Sequence, residues 1–266
     1  MQEKYTKLLE VIKRYDRVGI CLSGGSGSAL VAIAAVEALG ADRVVAITAN
    51  TPFFTGEELL SSKDLCKRLG ISLHVPNTNL LMNSAVVTNG PDRCYHCKKC
   101  IIDVVQKTAI ELGIRTLLDG SCASPEELAV EEDQNEKVLS ELGIACPLRM
   151  AGIDREDVHS IMTELSMGYY LHPENACLAT RIAPGEPITL KKLRWIRAAE
   201  NYIRSLGFGL VRVRVSGNKA RIEVAKDDVA DLIQQKQEVE EELKAMGYAE
   251  VIIDEDGYKR GAASCL

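Results

Sequence analysis

An α/β fold, a doubly wound parallel sheet followed by a smaller α+β domain, is what this sequence of 266 residues predicts, and three observations predict it. Short apolar runs alternate with helical stretches through the first half, the pattern of parallel β/α units. A glycine-rich loop joins the first of those runs to an apolar helix. Beyond residue 188 the order changes to helix, hairpin, helix and strand, which reads as a separate module.

The elements follow in order. The opening stretch MQEKYTKLLEVIKRYD makes an amphipathic helix, and Arg17 to Leu22 a buried strand. Ser23 to Ser28 form a loop and Ala29 to Leu39 an apolar helix. Arg43 to Thr48 is a second strand, Gly56 to Leu69 a helix and Ile71 to Val75 a short strand. A helix around His96 to Leu112, a strand at Thr116 to Asp119, and helices near Gln134 to Leu142 and Asp154 to Leu165 complete the first domain. The stretch His172 to Pro187 is rich in turn formers and breaks the pattern. The expected division is residues 1–175, a linker at 176–188 and a small domain over 189–266. That domain reads as a helix from Leu190, strands at Gly209 to Val215 and Ala220 to Val224 joined by a turn at Ser216, a long helix from Asp227 to Met246, and a strand from Ala249 to Ile253.

Composition narrows the function. The chain is 46% hydrophobic and 26% charged with a net charge of −6 and no basic run, so it can bury a core and is a poor wrapper of polyanions, while a local basic pocket for one phosphorylated ligand stays open. No run of about 18 apolar residues occurs, and the charged N-terminus is unlike a signal peptide, so neither a membrane nor a nucleic-acid partner is expected and the localisation reads as cytoplasmic. The nine cysteines (21, 66, 94, 97, 100, 122, 146, 177 and 265) are dilute and odd in number. That points to metal, cluster or thiol chemistry instead of a disulfide framework.

Ser23-Gly24-Gly25-Ser26-Gly27-Ser28, between a strand and a helix, exposes successive N–H groups and hydroxyls where an anion fits. No Gly-Lys-Ser/Thr follows, and the register is not that of a dinucleotide fingerprint. A flexible strand-to-helix turn is the ordinary alternative. Cys94, Cys97 and Cys100 recur every three residues, so on a helix they share a face and can approach one metal centre. No second C-x-x-C completes a zinc site, although Cys100 and a remote cysteine leave zinc open. An iron–sulfur cluster is the other reading, with Cys177 as candidate third ligand and one iron left open to sulfide or substrate. Arg181, four residues on, favours the Cys177 thiolate. A small buried hydrophobe is the alternative for Cys177 and the preferred reading for Cys21, Cys66 and Cys146. Cys122, just past the strand end at Asp119, is ambiguous, and Cys265 reads as incidental.

The serine–glycine loop, R-C-Y-H-C-K at Arg93 to Lys98, C-P-L-R-M-A-G at Cys146 to Gly152, A-C-L-A-T-R-I at Ala176 to Ile182 and R-V-R-V-S-G-N-K-A-R-I-E at Arg212 to Glu223 together resemble the LarE family of sulfur transferases. The likeness runs over nearly the whole chain, ending in the stretch Asp256 to Gly261. It implies an adenine nucleotide alpha hydrolase-like PP-loop domain, a smaller C-terminal domain, a homo-oligomer, and the cofactors ATP and Mg2+. The implied substrate is a small nucleotide, pyridinium-3,5-biscarboxylic acid mononucleotide, adenylated and then given sulfur during nickel-pincer cofactor synthesis. Cys94, Cys97 and Cys177 match the positions that hold a 4Fe-4S cluster in three-cysteine members, where inorganic sulfide or a sulfur donor recharges the cluster. Two positions depart from the family pattern: Gly27 replaces the loop aspartate, and Cys122 stands in Asp119-Gly-Ser-Cys where D-G-T-N is usual.

The expected roles follow. Ser23, Gly24, Gly25, Ser26 and Ser28 take the ATP phosphates, with Asp119 and Ser121 at the neighbouring strand end and Asp119 as candidate metal ligand. Cys94, Cys97 and Cys177 hold the cluster, and Arg181 meets an anionic group beside the Cys177 thiolate. Period-two alternation sets Arg212 and Arg214 on one face of their strand, either solvated or gripping a substrate phosphate. Tyr95 either stacks on the pyridinium ring or packs on a neighbouring helix. His74, His159, His172 and Trp195 read as structural. A related PP-loop sulfur transferase on another substrate, or a cluster or sulfide carrier with impaired ATP use, is the competing function.

Overall fold

The computed structural model describes residues 2–123, 136–171 and 177–259. The chain divides into two compact units, Met1–Asn79 with Cys94–Glu174, and Leu80–Arg93 with Asn175–Leu266. The readings of Gln134, His172 and Cys265 fall outside the described residues.

In the first unit, helix α1 (Gln2–Ile12) precedes strand β1 (Val18–Cys21), helix α2 (Ser26–Leu39), strand β2 (Val44–Ile47), helix α3 (Glu57–Leu69) and strand β3 (Ser72–His74). The four strands, with β4 (Thr116–Asp119), pair in parallel in the order β3-β2-β1-β4. β1 and β2 are buried at every position, which is why they read as continuous apolar runs instead of alternating ones. The chain runs outward from β1 through β2 to β3 and then returns to the other side of β1 at β4. The strand order therefore reverses between β1 and β4, whose last residues Cys21 and Asp119 are paired in register. A sheet of this kind opens its ligand crevice at such a reversal, beyond the carboxyl ends of the strands.

Two helices of this unit start earlier than the sequence reading places them. α2 starts at Ser26, inside the serine–glycine loop, because Gly25 caps it and accepts the Ala29 N–H at 3.0 Å. Helix α5 (Arg93–Glu111) starts before the cysteines, so all three lie on helix. A further helix over 136–141 (α6), α7 (Pro147–Ala151) and α8 (Arg155–Glu164) complete the unit. α7 was not foreseen, being short and announced only by Pro147 at its first position. Asp154 and Asp157 form a reciprocal cap at the head of α8.

The second unit is a three-stranded sheet in the order β5-β6-β7, with β5 (Val211–Ser216) antiparallel to β6 (Lys219–Val224) and β6 parallel to β7 (Glu250–Ile253). Helix α9 (Leu190–Ser205) buries Leu193, Ile196, Ala199 and Ile203, a stripe at helical spacing. The expected long helix is in fact two, α10 (Val229–Gln234) and α11 (Lys236–Met246), interrupted at Gln235; nothing in the sequence there explains the break. The unit also takes in Leu80–Arg93, which carries helix α4 (Ser84–Val87). Val87 accepts the Ile188 N–H at 2.8 Å, and buried Asn89 accepts the Gly185 N–H at 2.9 Å. Among the described residues no helix is long and apolar enough to cross a membrane.

Candidate active site

The serine–glycine loop follows β1, beside the end of β4. The first-turn amides of α2 lack partners one turn earlier and point out of the helix, the ordinary basis of an anion cradle. Ser28 is buried and shapes the loop from within: its hydroxyl accepts the Ser23 N–H at 3.2 Å and donates to the Gly25 carbonyl at 2.9 Å. The Ser23 hydroxyl lies 3.1 Å from it, on an exposed residue, and Ser26 is half-buried. Gly24 takes φ +82° with the Glu58 backbone against it, so a side chain there would meet the Glu58 carbonyl oxygen at 2.5 Å.

Asp119 is buried, and both of its oxygens already accept hydrogen bonds. One takes the Ser121 N–H at 3.0 Å and hydroxyl at 2.6 Å, and the other takes the Lys98 ammonium at 2.9 Å. Burial works against the charge, but Lys98 and Ser121 outweigh it and hold the Asp119 carboxyl below its usual range. Burial opposes the Lys98 charge too, and Asp119 reverses the outcome, keeping the ammonium above its usual value. Lys98 lies one residue past Cys97, so α5 ties the thiol-bearing turn to the end of β4. Sequence reasoning quoted this lysine within R-C-Y-H-C-K and assigned it no role.

Cys94 is exposed and Cys97 half-buried, one helical turn apart, an arrangement suited to two thiolates of one centre. Among the described residues no group of three or more His, Cys, Asp or Glu is gathered for a metal ion. Cys177 belongs to the second unit and is half-buried. Tyr95 packs on α6: its hydroxyl donates to Glu141 at 2.7 Å and Lys137 lies over its ring. Burial pushes the Cys66 and Cys146 thiols up to about 11 and the Cys21 thiol higher still, as befits unreactive cysteines.

In the second unit Arg181 is fully buried and holds the Cys177 turn. Its guanidinium donates to the Cys177 carbonyl at 3.3 Å, to the Thr180 hydroxyl at 3.1 Å, and to both oxygens of Glu200 at 2.8 and 3.4 Å. Glu200 also accepts the Val213 N–H at 3.1 Å and Arg204 at 3.0 Å. A carboxylate on the apolar stripe of α9 was the available signal for this pair, since a buried charge needs a partner. Arg212 and Arg214 are buried as well, so the solvated-face reading of their strand does not hold: β5 is covered on both faces. Arg214 meets both oxygens of Glu223 at 3.2 and 3.1 Å and the Thr180 carbonyl at 3.1 Å. Arg212 donates to the Val211 carbonyl at 2.8 Å and lies over the Tyr258 ring. Burial, followed by the neighbouring Arg181 charge, pulls the Arg212 guanidinium below its usual value.

Comparison with known proteins decides the family. The NAD synthase family matches residues 5–92, the part of the chain that contains the phosphate loop. The pyridinium-3,5-bisthiocarboxylic acid mononucleotide synthase of Lactiplantibacillus plantarum is 30% identical over 263 residues, covering 97% of this chain and 92% of that enzyme. The chain belongs to the LarE family. An uncharacterized protein of Synechocystis sp. is 32% identical over 263 residues, 98% of this chain and 97% of its own length. One from Methanocaldococcus jannaschii is 26% identical over 260 residues, 97% and 98%. As a LarE-family protein the chain is an ATP-dependent sulfur transferase on a PP-loop fold, with the phosphate loop at the β1–β4 edge.

Proposed function

We propose that this LarE-family protein makes the product its Lactiplantibacillus relative is named for, pyridinium-3,5-bisthiocarboxylic acid mononucleotide: it adenylates pyridinium-3,5-biscarboxylic acid mononucleotide and replaces the activated carboxylate oxygen by sulfur. The observation that carries the reading is the Lys98–Asp119 pair, which fastens the helix of Cys94 and Cys97 to the strand end beside the phosphate loop. A substrate carboxylate oxygen attacks the α-phosphorus of ATP and pyrophosphate leaves; incoming sulfide then displaces AMP. Ser23, Gly24, Gly25, Ser26 and Ser28 hold the phosphates, Ser28 chiefly by fixing the loop, and Asp119 with Ser121 closes the same edge.

Cys94, Cys97 and Cys177 are the ligands in this proposal. A 4Fe-4S cluster with three protein thiolates would supply an open iron for the sulfide that is transferred. Arg181 positions the Cys177 turn through its backbone carbonyl. Arg212 and Arg214, two residues apart on β5, are the side chains assigned to the substrate phosphate in this proposal. A cytoplasmic homo-oligomer recharged by inorganic sulfide or a sulfur donor completes the proposal.

The test is anaerobic purification with iron and acid-labile sulfide quantified for the parent and for Cys94→Ala, Cys97→Ala and Cys177→Ala, alongside pyrophosphate release with the dicarboxylate nucleotide. Loss of cluster in all three variants and substrate-dependent pyrophosphate release are expected. Stoichiometric zinc in the parent rejects the cluster, and a cluster without pyrophosphate release favours a carrier.

A further inference from the structure

The position of the family's loop aspartate is occupied by Gly27, and the space a side chain would need there is filled. A Cβ on Gly27 would lie 2.4 Å from the Gly120 carbonyl oxygen and 3.6 Å from the Cys122 sulfur. The contact is reciprocal, since a Cβ on Gly120 would lie 2.3 Å from the Ser28 nitrogen and 2.6 Å from the Gly27 carbonyl carbon. Two backbones therefore pack directly, with glycine on both sides, where the first turn of α2 meets the loop after β4. The two departures from the family pattern, Gly27 and Cys122, meet at this one contact and read as a single structural change.

Among the described residues, the two carboxylates beside this contact, Asp119 and Glu58, are committed elsewhere. Asp119 faces the Lys98 ammonium and Ser121. Glu58 accepts the Thr55 hydroxyl at 2.6 Å and the Gly56 N–H at 3.0 Å at the head of α3. A magnesium ion wants hard oxygen ligands in near-octahedral geometry. Here one expected ligand is missing, its site is closed by backbone, and the remaining acid already carries a cation. Among the described residues, those at the phosphate loop do not fit a magnesium ion held by the protein.

We infer that this chain binds the phosphates of ATP through backbone amides and serine hydroxyls alone, with an affinity that does not depend on a divalent cation. The inference rests on the ATP-dependent reading of the same loop and extends it. The amide cradle survives the loss of the aspartate because its donors are N–H groups of the α2 terminus, which no side-chain replacement removes.

Calorimetric titration of the anaerobically purified full-length protein with ATP, once with EDTA and once with excess magnesium, tests it. Dissociation constants within about fivefold of each other are expected. Binding more than about fivefold tighter with magnesium overturns the inference while leaving the ATP reading intact, and no binding in either buffer overturns both. Gly27→Asp should lower Tm and weaken ATP binding in both buffers, because its Cβ must displace the Gly120 backbone. A Gly27→Asp protein that keeps the parent Tm and gains magnesium-dependent binding sinks the idea. Gly27→Ala adds the Cβ alone and should lower Tm as well; an unchanged Tm would show that the contact is not closed.

Discussion

The phosphate-loop edge of the first unit and the arginine cluster of the second handle charge in opposite ways. At the loop the donors are backbone amides and small hydroxyls, and glycines at 24, 27 and 120 let main chain approach main chain. In the second unit the charge sits on whole side chains, Arg181, Arg212 and Arg214, buried beside Glu200 and Glu223. The first arrangement has no room for added atoms. The second has no tolerance for a removed charge.

The largest expected effect breaks the second region. Arg181→Met leaves Glu200 buried without its bidentate partner and should cost about 3 to 5 kcal/mol of stability, read by chemical denaturation of the full chain. Arg204 and the Val213 N–H still reach Glu200, so a loss below about 1 kcal/mol would show that they suffice. Next comes an insertion into the first region: Gly120→Ala forces a methyl group onto the Ser28 nitrogen and should cost about 1 to 3 kcal/mol. Thermal denaturation and ATP titration should register it together, because the displaced atoms belong to the phosphate loop. Ser28→Ala removes three hydroxyl contacts at the same loop and should cost about 1 kcal/mol, with ATP affinity falling alongside stability.

The smallest effect is one of slope. The Asp119 carboxyl is held below its ordinary value of 3.8 in the folded protein, so its contribution is fully present above that pH and is lost as pH falls through the lower folded value. Tm followed downward from pH 5 should therefore fall less steeply in Asp119→Asn than in the parent. Equal slopes would mean that Asp119 gains nothing from Lys98.

Much of the first unit was legible because each parallel strand is a short apolar run set between helices, a pattern visible without partners. The start of α2 was hidden, because Ser26 and Gly27 resemble loop residues until the Gly25 cap is seen. Leu80–Arg93 was illegible for a different reason. Its partners, Ile182 to Ile188, lie far along the chain, and no local periodicity announces a contact made across that distance. At the site, the serine–glycine loop and the cysteine spacing stood out as motifs. The burial of Arg212 and Arg214 did not, since alternation marks two faces of a strand without saying whether the second is covered. Lys98 and Glu200 escaped because each acts through a partner distant in sequence, Asp119 and Arg181.

The interrupted course of the second unit bears on anyone who would cut the gene into pieces. A fragment beginning at Asn175 would lack Val87 and Asn89, which hold Ile188, Gly185, Ile182 and Ala183 in place, while one ending at Glu174 would carry Leu80–Arg93 as a stranded insert. Neither half is a self-sufficient module, and any fusion, split reporter or circular permutation must keep that strap with its receiver.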